Sequence, residues 1–118
     1  MNDNELIEID KQLNELPDKI EKQTDKVIQE YENYRKKKME YELKYSKTIQ
    51  TEKVKNKDLT QIDLQAIAEI ESEIERLEMI LAQSKHKREY KQLQFLRDSL
   101  DAIKERSYNW RAHIKSFK

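Results

Sequence analysis

The charge of this chain changes sign three times along its length. Residues 1–30 carry nine acidic and four basic side chains, and residues 31–57 carry four and nine. Residues 58–81 carry seven acidic and one basic, and residues 82–118 four and ten. If the chain folds back at a turn near residue 58, the basic block 31–57 lies beside the acidic block 58–81. The acidic block 1–30 then lies beside the basic block 82–118. Other registers bring like charges together, so the blocks select this antiparallel pairing against its competitors. Each arm, if helical, is ~75 Å long at 1.5 Å per residue.

Helix is what the rest of the chain predicts. There is no glycine and no cysteine among the 118 residues, and Pro17 is the one proline. Without glycine there is no phosphate-cradling loop, which removes the P-loop and dinucleotide-binding classes. Without cysteine there is no disulfide framework and no thiolate metal site. Charged residues make up 41% of the chain, a composition that also suits disorder, but sustained three–four spacing of apolar residues argues for helices. The first twenty residues are acidic and broken by charges, unlike a signal peptide. No run approaches the ~18 apolar residues of a membrane span. A cytoplasmic protein of one helical domain, with no membrane partner and no cofactor, is the expectation.

The apolar positions mark the seams. Leu6, Ile9, Leu13, Leu16 and Ile20 run across Pro17, which predicts a kink or a tight restart there, with helices over 4–16 and 18–55. In the second, Val27, Tyr31, Tyr34, Tyr41, Tyr45 and Thr48 form a tyrosine-rich stripe with Lys38 as its polar intruder. Asn56 to Thr60 predicts the turn, with Asp58 or Thr60 as the cap of the next helix. That helix, over 60–82, has its seam at Ile67, Ile70, Ile74, Leu77 and Leu81. The segment Gln83–Glu89 holds no apolar residue and predicts either a bend or a stutter. The last helix, over 87–117, repeats Leu93, Leu96, Leu100, Ile103, Trp110, Ile114 and Phe117 at a/d spacing, ringed by basic residues. An isolated helix cannot bury such a seam, so it reads as the assembly surface of a homo-oligomer. The fold class is all-α: a long antiparallel helical hairpin or coiled coil, oligomerising through its C-terminal helix.

Catalysis is not expected. His86 and His113 are far apart in sequence, read as solvated, and lack a second histidine at metal-binding spacing. The glutamates 69, 71, 73, 75 and 78 have no shaped pocket to make them an acid/base pair. A different chemistry is suggested by Arg35, Lys36, Lys37 and Lys38, with Lys44 and Lys47 following and Tyr34 and Tyr41 among them. Cations that track a backbone, together with rings on which bases stack, are the ingredients of single-strand binding. In the hairpin register, Lys85, Lys87 and Arg88 lie near that run as a second patch. The competing reading makes the tyrosines seam residues and the lysines solvation, in a structural scaffold or adaptor that binds a protein partner.

The run Leu100-Asp101-Ala102-Ile103-Lys104, with Arg106 two residues on and Tyr108, Ile114-Lys115 and Phe117 after it, resembles a stretch near the C-terminus of the UvsY-type recombination mediators of T-even phages. Tyr45-Ser46-Lys47 is similar to another piece of that family. The resemblance covers about twenty residues of the 118. It implies a non-enzymatic, ring-like homo-oligomer in the cytoplasm of a phage's host. Such a protein binds single-stranded DNA and helps load a RecA-like recombinase onto strands coated by single-strand-binding protein. It places Leu100 and Ile103 in the assembly helix. The family's short basic Lys-x-Arg motif has its nearest counterpart in Arg35 to Lys38, followed here by the acidic Glu40 and Glu42.

Overall fold

Three helices account for the fold of the computed structural model, which describes residues 3–116. Helix α1 is Asp3–Lys55, α2 is Gln61–Glu71 and α3 is Glu73–Ser116. The class is all-α, with no strand among the described residues, and the pairing is the antiparallel hairpin. The helix boundaries differ from the sequence reading in two places. Proline supplies no N–H to the carbonyl four residues back and normally breaks a helix. Yet α1 runs on through Pro17, whose side chain is exposed while its neighbour Leu16 is buried. Packing on the inner side carries the helix past a missing bond on the outer side. The second difference is the break between helices, which falls at Ser72 rather than in Gln83–Glu89. Ser72 is fully buried, and its hydroxyl donates to the Ala68 carbonyl at 2.5 Å. Back-bonding of this kind bends a helix, and the Arg76 N–H still reaches the Ser72 carbonyl, so the chain bends without stopping.

The turn is set by local chemistry. Asn56 Oδ1 accepts from the Asp58 N–H. Thr60, not Asp58, caps α2: its hydroxyl accepts from the Asp63 N–H at 3.1 Å, while Asp63 accepts from the Thr60 N–H at 3.2 Å. This reciprocal capping box satisfies two donors that the first turn leaves open. Thr60→Ala should cost about 1 kcal/mol, readable as a shift in the urea midpoint without a change in slope.

The chain forms two compact units. A terminal unit takes Met1–Val27 and Arg88–Lys118, and a middle unit takes Ile28–Lys87. The terminal unit has the hydrocarbon core. Ile9, Leu16 and Ile103 are buried together, with Leu13, Leu96 and Leu100 packed against them, and Leu93 is buried as well. Around Gln23 and Glu89 of this unit the layer turns polar. Gln23 Nε2 donates to the backbone carbonyl and the carboxylate of Glu89, both at 2.8 Å, and Lys26 lies 3.9 Å from the same carboxylate.

The middle unit is built by size matching. The inward face of α2 and the start of α3 carries Leu64, Ala68, Ser72 and Ala82, all buried. Along the same stretch α1 brings in Tyr34, Tyr41 and Tyr45, each half-buried. Small residues on one helix leave room for rings on the other. This corrects the seam expected for residues 67–81. Ile67 is half-buried, but Ile70, Ile74, Leu77 and Leu81 are 71%, 70%, 48% and 69% exposed. Setting those branched side chains against three tyrosines would overpack the unit, and the helix presents its small face instead. Lys37 and Glu78 pair across the middle unit, as do Glu30 and Lys85. The residue numbers of each pair add to 115, as they do for Lys26 and Glu89 in the terminal unit. The charge blocks therefore meet in the register that their order predicts.

Candidate nucleic-acid interface

The basic run on α1 resolves into two kinds of cation. Lys37 is half-buried and faces α3. Its ammonium is 3.3 Å from Glu78 and 3.5 Å from Glu40. It, rather than Lys38, is the lysine of the inward stripe: 34, 37, 41, 45 and 48 are all half-buried, as is the Glu40 it pairs with, and 38 is exposed. The hydrogen bond to Glu78, with the charges of Glu40 and Glu78, raises the Lys37 pKa above its ordinary 10.5. A raised cation favours the folded state below its unfolded pKa and loses that contribution as pH climbs through the folded value. The pairing therefore holds throughout the neutral range and is lost in alkali as the ammonium gives up its proton.

The other members of the run face outward. Arg35, Lys36, Lys38, Lys44 and Lys47 are exposed, and among the described residues no ion pair holds them. Of the cations in residues 31–57, ion pairs engage only Lys37 and Lys55. The acidic partner block thus sets the register with few ion pairs and leaves most of the positive charge on the surface of α1. Lys44 and Lys47 line one groove with Lys55, where Glu52 and Glu71 are the only carboxylates.

The rings are arranged differently from the sequence reading. Tyr34 and Tyr41 are half-buried between the helices, and Tyr41 leans on Tyr45 with centroids 6.1 Å apart. The groove beside Tyr41 is lined by Glu69, Ile70, Glu73 and Arg76, an acidic wall that works against a phosphate there. Tyr31, counted in sequence as a seam residue, is 46% exposed. The Arg35 guanidinium lies 5.9 Å from its centroid, within reach of a cation–π contact. The Arg35–Tyr31 spacing of four residues was the available signal. Tyr31 also meets the His86 ring, with centroids 5.3 Å apart. His86 is therefore a half-buried packing residue and not the solvated one expected.

The second patch divides in the same way. Lys85 is tied to Glu30 at 3.4 Å, whereas Lys87 in the middle unit and Arg88 in the terminal unit are exposed and outside the ion pairs. Within the middle unit, Tyr31 brings Arg35 and His86 to one place.

On the C-terminal helix, Leu93 and Ile103 are buried and Leu96 and Leu100 are half-buried, all within the terminal unit. This chain's own α1 covers that part of the seam. Trp110 and Ile114 are half-buried. Phe117 lies outside the described residues.

No group of three or more metal-binding side chains gathers among the described residues, and no described helix is long and apolar enough to cross a membrane. The fold and this surface define an antiparallel helical hairpin with a band of unpaired cations on one helix. Comparison with protein-family models, with curated proteins and with solved structures finds no match to the chain.

Proposed function

We propose that this chain is a non-enzymatic, oligomeric single-stranded-DNA-binding protein that acts as a recombination mediator, helping a RecA-like recombinase load onto strands covered by single-strand-binding protein. The observation that carries the binding part is the outward band Arg35, Lys36, Lys38, Lys44 and Lys47, free of ion pairs among the described residues. Five cations along about twelve residues of helix span ~18 Å at 1.5 Å per residue, a length suited to several phosphates of an extended strand. Tyr31, half open and carrying Arg35, offers a stacking face beside them. The mediator part rests on the C-terminal resemblance. Each patch is weak, and copies acting together on one strand add by avidity. Trp110 and Ile114 are the part of the C-terminal seam this reading assigns to assembly.

The test is binding of a labelled single-stranded oligonucleotide and of its duplex across a salt series. Preference for the single strand, with affinity falling steeply as salt rises, is the expected result. Absence of binding at low salt overturns it. A second reading, a helical scaffold or adaptor for a protein partner, is favoured by one specific observation. The apolar stripe Ile70, Ile74, Leu77 and Leu81 is 48–71% exposed.

A further inference from the structure

We infer that the outer face of α2–α3 in the middle unit is a docking surface for a protein helix whose own apolar face is flanked by lysine or arginine. Ile70, Ile74, Leu77 and Leu81 recur at steps of four, three and four, the spacing of a coiled-coil seam. They are 48–71% exposed. Four large aliphatic side chains in one row on a surface otherwise dense in charge make an interaction patch rather than scattered exposure.

The flanks choose the occupant. Glu71 and Glu78 edge the row on one side and Glu73 on the other, all exposed, and residues 58–81 hold seven carboxylates against the single Arg76. Nucleic acid is repelled by that fringe. A second copy meeting the row through the same row, antiparallel, sets Glu71 and Glu78 of one chain against Glu78 and Glu71 of the other. Like charges so placed disfavour the pair. A helix with basic flanks gains on both counts: apolar burial in the row and opposite charge at its edges. Met39 and Leu43 on α1 are also exposed and lie among the α1 cations. Strand binding is assigned to the cations of α1 and helix docking to the apolar row of α2 and α3, so the two use different residues. The inference extends the reading above without depending on its DNA-binding part.

The probe is a synthetic amphipathic peptide of about three heptads with leucine at a and d and lysine at e and g. Its counterpart has glutamate at e and g. Fluorescence anisotropy with the full chain should show the lysine peptide binding at least about tenfold tighter than the glutamate peptide. Ile74→Glu with Leu77→Glu should remove that binding, leave the circular dichroism unchanged and alter single-strand affinity by less than about twofold. Equal binding of the two peptides, or peptide binding that survives the double substitution, overturns the proposal. So does self-association of the wild-type chain in sedimentation that the double substitution abolishes, since the occupant is then a second copy. Peptide binding without strand binding leaves this surface standing and removes the mediator reading. Strand binding without peptide binding does the reverse.

Discussion

Ile9→Ala is expected to cost about 2–5 kcal/mol, and Ile74→Ala no more than about 0.5 kcal/mol. Both are isoleucines at seam spacing on long helices, and nothing in their immediate sequence ranks them. The structure does. Ile9 is 1% exposed and packed with Leu16 and Ile103. Removing three of its carbons leaves a void that rigid helices on both sides cannot close. Ile74 is 70% exposed, so its truncation removes little buried area, and alanine is the better helix former. Urea unfolding of both variants checks the pair. A loss at Ile74 as large as that at Ile9 means that the outer row is buried in solution against another copy, and the helix pair is not the folding unit.

The same comparison shows what was legible before the structure. Charge order predicted the antiparallel register, and the pairs Lys37–Glu78 and Glu30–Lys85 realise it. That Leu93 to Ile103 form a seam was legible too, but not its cover: the seam read as an assembly surface, and Ile9, Leu13 and Leu16 of the same chain pack on it. In the middle unit the rule that bulky apolar residues point inward failed. The rings of Tyr34, Tyr41 and Tyr45 are half-buried there, and the small residues Ala68, Ser72 and Ala82 are among the buried ones along α2 and α3. Hydrophobicity ranks Ile70 above Ala68; volume reverses the order. Lys37 was hidden for a related reason. A lysine with two carboxylates in reach can sit at an inward position, and four cations in a row offer no internal clue as to which one does. The polar stretch Gln83–Glu89 left a bend and a stutter both open, and the helix continues through it, where Gln23 and Tyr31 supply polar and aromatic partners from α1.

Charge reversal within the basic run should separate binding from folding. Lys36→Glu with Lys38→Glu places two carboxylates in the outward band and touches none of the ion pairs between helices. At low salt the affinity for a single strand is expected to fall at least about tenfold. The slope of log affinity against log salt should shrink by about 1.4, at ~0.7 for each phosphate that is no longer neutralised. The thermal midpoint should stay at the wild-type value. Lys37→Glu should do the opposite. It adds a third carboxylate beside Glu40 and Glu78, which lie 3.5 and 3.3 Å from the ammonium it replaces, so the midpoint falls while the outward band is intact. Adding Glu78→Lys to Lys37→Glu restores opposite charges across the helix pair and should recover most of the stability. Two results would undo this division. Unchanged strand affinity in the Lys36/Lys38 variant removes the band as the binding site. A midpoint that drops as far in that variant as in Lys37→Glu makes the whole run a register device, which is the scaffold reading.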